Sequence, residues 1–470
     1  MKNFLKNKEN ILYLFILILF ITLSIIIGLK HEPWADEGHA WLLARDTSIK
    51  ELIFTYLHSD GHPCLWHLIL KLFQTLGLKY NYIFIISTIF SSIGVALILF
   101  FSKFPKWIKI YLPFTYFIFY QYTIISRGYC LILPILALIA IIWDKRHEKI
   151  ITFSILLLLL LSTEAYTFLL ASVIYLKIFF EFIKDKKYLK DKKHIICLAL
   201  LFIAFCFTAY YVFPQKENKF NPTNTLYLIS FSFFSPFKTN TIPKLIFNII
   251  GITLLLFLIY KSYKDNKKGL IELIIALLPI IIFLTFKYNR PWHYGIVFIV
   301  YLFITWIQKN ENNKYFKIII FLYIIYQLPC NIFTSCYDWK FNFDPSYEMT
   351  KLIKKYDYQN LRIKAVGFYT SNINTYLDTN IYENYDDNRG FYYWHKNAKY
   401  YQTTNNNEII NWDYVFDADI VVVSQKSTID EEEHPDFNCY YFDGASFFEY
   451  TRYEDFPSQI FISKEIDRGE

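Results

Sequence analysis

Eleven long apolar runs, separated by short clusters of lysine and arginine, constrain this chain more than any other feature. An α-helix rises about 1.5 Å per residue, so about 20 apolar residues cross the roughly 30 Å hydrocarbon core of a bilayer. Residues 11–29 are such a run without one charge. With 54% of 470 residues apolar and 21% aromatic, there is too much apolar sequence for a single water-soluble domain, and the chain reads as a mainly α, polytopic membrane protein. The first run exceeds the apolar stretch of a signal peptide and no small-residue cleavage site follows. It is read as a retained anchor, with Lys2, Lys6 and Lys8 keeping the N-terminus cytoplasmic.

Basic residues in short loops favour the cytoplasmic side. Alternating the runs so that Lys103, Lys106 and Lys109, then Lys145 and Arg146, then the block 184–193, then Lys261, Lys264, Lys267 and Lys268 all lie inside gives one consistent weave. Its spans are 11–29, 82–101, 110–125, 130–143, 150–161, 165–182, 195–213, 245–260, 270–286, 293–307 and 316–329. The weave places segment 30–80, the loop 214–242 and the tail from 344 outside. It also requires that 62–78 not span. Lys71 interrupts that stretch, and Leu65, Leu68, Ile69, Leu72, Phe73 and Leu76 form a helical stripe suited to lying along the interface.

Two domains follow: a transmembrane domain over 1–343 and an extracytoplasmic α/β domain over 344–470. In the second, 346–355 reads as an amphipathic helix, and 362–368 and 419–424 as strands, without fixing the sheet order. The net charge of +7 does not indicate nucleic acid, because the lysines are the loop clusters just described. No glycine-rich nucleotide-binding motif is present. Of seven cysteines none forms a CxxC pair; Cys336 and Cys439 both fall outside, where a disulfide requires only that they meet.

The outer segment 30–80 opens with Trp34-Ala35-Asp36-Glu37-Gly38-His39. Asp36 is placed to cap a helix running to about Arg45, and Ser48 with Glu51 has capping-box spacing for a second. Gly61 suits a turn and Pro63 the first turn of the interfacial helix. A carboxylate at a helix N-terminus is favoured in its ionised form, and an ionised carboxylate is a base. Asp36 and Glu37 are therefore the candidate catalytic residues. His39, His58, Asp60 and His62 are candidate ligands for a divalent metal, although no HExxH pattern occurs. Further along, Arg127 lies between the third and fourth runs, Glu164 between the fifth and sixth, and Arg290 and His293 between the ninth and tenth. Arginine suits bidentate binding of phosphate, so these groups, with His39 and His62, are the candidate substrate-binding set.

A span followed by Trp-Ala-Asp-Glu-Gly-His-Ala-Trp-Leu-Leu-Ala-Arg-Asp and then Gly-His-Pro-Cys-Leu-Trp-His resembles the GT-C superfamily of polytopic glycosyltransferases. The bacterial branch related to protein O-mannosyltransferases and lipid A aminoarabinose transferases is the most similar. The resemblance covers the first third of the chain, with Arg127-Gly128-Tyr129 and Arg290-Pro291-Trp292-His293 compatible but less specific. It implies transfer of a sugar from a polyprenyl-phosphate or diphosphate donor to a glycan, lipid or protein hydroxyl on the outer face of the cell membrane, with inversion. Asp36 then takes the position of the general base and Glu37 that of its neighbour. Glu164 is the candidate for the second acid found in many members. Two other classes compete: a transporter or flippase of lipid-linked sugars, and a non-catalytic receptor. A translocation path calls for charges deep within spans, whereas Lys71, Lys177 and Glu272 all sit near ends of apolar runs.

Overall fold

The hydrophobic runs become helices, and among the described residues seven of these are long and apolar enough to cross a membrane: Lys8–Gly28, Tyr80–Phe101, Gly128–Lys145, Ala165–Lys184, Lys192–Tyr210, Lys267–Phe286 and Lys314–Lys340. The computed structural model describes residues 7–212, 225–233, 242–287, 290–386, 388–407, 409–425, 428–444, 446–448, 451–453 and 458–469. Lys2, Lys6 and most of the loop expected over 214–242 lie outside the described residues. The structure is mainly helical, with a small sheet region near the C-terminus, and its long apolar helices are compatible with a multi-pass membrane protein. Large apolar side chains such as Leu200 and Ile203 are exposed at 61% and 63%, as suits contact with lipid rather than water.

The expected count of eleven is not reached by helix length. Ile150–Leu161 has 12 residues, about 18 Å of helix, and Pro291–Ile307 is also a short apolar helix. The run at 110–125 is broken into an α-helix Lys106–Tyr111, a 3-10 turn Leu112–Phe114 containing Pro113, and a π-helical stretch Phe117–Ile124. Proline lacks the donor for a continuous helix, which accounts for the break. The last helix instead exceeds expectation. It runs through Pro329 to Lys340, and its later turns bury Asn331, Thr334, Ser335 and Asp338 against the bundle.

Segment 62–78 is not among the helices long and apolar enough to cross a membrane. It forms an amphipathic helix, Leu65–Thr75, that buries Trp66, His67 and Leu70. Part of the expected apolar stripe faces outward, with Leu72 and Leu76 exposed. Lys71 explains its own position: its ammonium donates to the carbonyls of Ala44 at 2.8 Å and Thr47 at 2.6 Å, satisfying the C-terminal end of the helix Ala35–Asp46. Pro63 precedes the cap residue Cys64 and so lies outside the first turn.

In the tail, Ser346–Lys355 is helical and the two expected strands appear as Ile363–Val366 and Ile420–Ser424. They pair in parallel, Ile363 opposite Ile420. Two further strands, Ser458–Ser463 and Phe437–Phe442, extend the sheet in antiparallel fashion beyond Ile420–Ser424. Cys336 and Cys439 are both free thiols, so the disulfide considered from the sequence is not formed.

Candidate functional site

The helix Ala35–Asp46 starts on an extended Trp34, two residues earlier than a cap at Asp36 would require. The capping falls to Glu37, whose Oε2 accepts the Trp34 backbone N–H at 2.8 Å. The two acids thus divide in a way the sequence did not show. Glu37 is wholly buried: Oε1 accepts the Ser126 N–H at 2.6 Å, and Oε2 also lies 3.2 Å from His31 Nε2. Asp36 is turned the other way, into a cavity, where its carboxylate lies 2.5 Å from the Arg127 guanidinium. Burial works against the charge on Arg127, but the adjoining Asp36, together with Tyr129 and Glu164, outweighs it and raises the pKa.

This cavity has a volume of about 320 Å³. Six of the eight expected catalytic and substrate-binding residues line it: Asp36, His39, His62, Arg127, Glu164 and Arg290. They come from five separated stretches of chain, brought together at or near the ends of helices. Glu164 is the residue preceding Ala165–Lys184, and its Oε2 lies 3.5 Å from His62 Nδ1. Arg290 is exposed and packs its guanidinium over the ring of Trp292. Glu37 and His293 do not line the cavity. His293 is buried with its Nδ1 3.2 Å from the Tyr129 hydroxyl.

His39 and His62 face the cavity, whereas His58 stacks on the Tyr210 ring at 4.0 Å with Nδ1 3.1 Å from the Tyr210 carbonyl oxygen. The side chain of Asp60 lies outside the described residues. Among the described residues no group of three His, Cys, Asp or Glu converges as metal ligands.

Aromatic residues form much of the wall. Trp34, Trp66 and Trp292 line one part, with Trp34 and Trp292 edge to face at 5.2 Å. Phe368, Tyr369 and Trp394 come from the C-terminal region, which therefore helps to enclose the cavity. Only spacing relative to an already known site would have singled these six out among so many aromatics.

The C-terminal region is fastened beside the cavity by polar contacts. Arg45 donates to the carbonyls of Asn374 at 2.8 Å and Leu377 at 2.7 Å, closing the end of the 3-10 segment Phe368–Tyr376. Gly390 N–H donates to Asp46 at 2.8 Å, and Arg389 pairs with Glu51 at 3.0 Å. Asn372 donates to the Pro33 carbonyl at 2.9 Å and accepts from the Tyr80 hydroxyl at 2.8 Å. This last contact needs Gly38, because a Cβ there would collide with the Asn372 side-chain oxygen. A mid-helix glycine ordinarily costs about 1 kcal/mol relative to alanine, and here the close approach accounts for it.

No family model, no curated protein and no solved structure matches the chain.

Proposed function

We propose that the chain is a membrane glycosyltransferase of GT-C type that moves a sugar from a polyprenyl-phosphate or diphosphate donor to a hydroxyl acceptor. In this reading the cavity opens on the outer face of the cell membrane, the N-terminus is cytoplasmic, and the shorter apolar helices complete eleven crossings. The observation that carries it is the convergence of Asp36, Arg127 and Arg290 on one cavity with aromatic walls. A carboxylate, two guanidinium groups and flat apolar faces match a hydroxyl proton, a phosphate and a sugar ring respectively.

The step balances as follows. Asp36 takes the proton of the acceptor hydroxyl as its oxygen attacks the anomeric carbon. The bond from that carbon to the phosphate oxygen breaks on the opposite face, so configuration inverts, and the lipid phosphate leaves with the bonding pair. Arg127 and Arg290 hold the charge that develops on it. Glu37 keeps the start of the Asp36 helix in place, and Glu164 with His62 borders the space left for the acceptor.

A transporter is less well supported, since Lys177 and Glu272, two charges near apolar runs, pair with each other at 2.7 Å. The test is transfer of radiolabel from a panel of polyprenyl-phosphate sugars by the purified full-length protein in liposomes. Labelled product from one donor is expected; bidirectional movement of intact donor across the bilayer without any product would overturn the proposal in favour of a transporter.

A further inference from the structure

We propose that His31, as an imidazolium clamped between Glu37 and Asp338, is a positioning residue that fixes Arg127 for the donor phosphate; this rests on the reading of the cavity given above.

The clamp joins three distant parts of the chain. His31 Nδ1 lies 2.9 Å from Asp338 Oδ2 at the end of the last long helix, and His31 Nε2 lies 3.2 Å from Glu37 Oε2. The Tyr120 hydroxyl donates to the same Asp338 oxygen at 3.0 Å. The other Glu37 oxygen accepts the Ser126 N–H at 2.6 Å, and the next residue, Arg127, meets Asp36. Two adjacent acids therefore hold two adjacent residues, one by its backbone and one by its guanidinium. Any movement of Glu37 is passed to the backbone that carries Arg127.

A neutral imidazole has one N–H donor and one acceptor, whereas the imidazolium donates from both nitrogens. Only the charged form therefore satisfies both carboxylates. The side chains of His31, Glu37 and Asp338 are at most 1% exposed, so water does not substitute for a lost proton. Burial works against the charge on His31, but Asp338 and Glu37 outweigh it and raise the pKa to about 10. The neighbouring Glu32 also feels this charge. On its own part the ring packs edge to face on Phe343 at 5.0 Å, which fixes its plane. Loss of the proton leaves two buried carboxylates facing a ring that serves only one of them, and Glu37 gives up its hold on Ser126.

The experiment uses the full-length protein in lipid nanodiscs, wild type and Asp338→Asn, with polyprenyl phosphate alone as the probe. The ¹⁵N shifts of His31 report its charge directly, and probe binding is followed as the pH is raised. Expected are two protonated ring nitrogens at neutral pH and a loss of binding at alkaline pH. Asp338→Asn is expected to move that loss to lower pH, together with the ¹⁵N titration, and to weaken binding above it by about 10–100-fold, as for a charged hydrogen bond loosened. Asp338→Glu is expected to restore the wild-type profile. A neutral His31 at neutral pH, or a variant whose thermal stability falls while its binding profile stays put, overturns the proposal. Wild-type protein that binds no polyprenyl phosphate overturns the reading of the cavity instead. The charge state of wild-type His31 needs no variant, so poor accumulation of Asp338→Asn leaves a decisive measurement.

Discussion

The Asp36 carboxylate lies 2.5 Å from the Arg127 guanidinium inside a cavity that Arg290 also lines. Arg127 thus pairs with the candidate base and lines the same cavity. Replacing it with lysine keeps the charge but loses the planar fork. Arg127→Lys is expected to lower kcat/KM for a lipid-phosphate donor by about 10–100-fold, the worth of one charged hydrogen bond. Steady-state kinetics in liposomes check this, and unchanged kcat/KM would remove Arg127 from donor binding.

Stability should depend on pH in one direction. His31 is raised from 6.5 to about 10, Glu32 from 4.5 to about 8 and Asp344 from 3.8 to about 6. For Glu32 and Asp344 the main cause is burial, which disfavours the carboxylate, with nearby acids adding to it at both. Each group binds its proton more tightly in the folded than in the unfolded chain. Their contributions are fully present below the unfolded values and are lost as the pH rises through the folded ones. Thermal unfolding in detergent is therefore expected to shift to lower temperature between about pH 5 and about pH 10. A rising or flat Tm over that window would contradict the buried arrangement around His31.

Gly38→Ala tests how the C-terminal region is fastened. The added methyl meets the Asn372 oxygen, which must leave Pro33 and Tyr80. A cost of about 1–3 kcal/mol is expected, typical of overpacking at a tight contact. Limited proteolysis should then cut faster within 368–394 while the membrane helices stay intact. Equal protection would mean that the contact contributes nothing to docking.

Trp394 is 51% exposed, yet it lines the cavity from the C-terminal side. Under the proposed function it is placed to stack on a sugar. Trp394→Ala is expected to raise KM for the acceptor or donor sugar by about 2–12-fold with little change in kcat, from the loss of one aromatic contact. A change in kcat alone would argue for a different role.

The sequence made the helical body legible because apolar runs have one stable solution in lipid. It also marked the adjacent acids Asp36 and Glu37 just beyond the first apolar run, and Arg127, Glu164 and Arg290 between later ones. It assigned the cap to Asp36 and left Glu37 as a neighbour, because both occupy the first turn and only the partners at Trp34, Ser126 and Arg127 show that Glu37 carries the cap. His31 and Asp338 went unnoticed: they are 307 positions apart, and nothing local announces their meeting. The sheet order was likewise hidden, since Phe437–Phe442 and Ser458–Ser463 pair across the chain rather than through a short turn.

The most direct measurement is sugar transfer by Asp36→Asn, reconstituted beside wild type with the donor that wild type uses. Asparagine keeps the shape of the side chain but is not a base, so the product should fall by about 10²–10⁴-fold while the protein inserts and accumulates as before. Transfer at the wild-type rate by a correctly inserted Asp36→Asn would contradict the account.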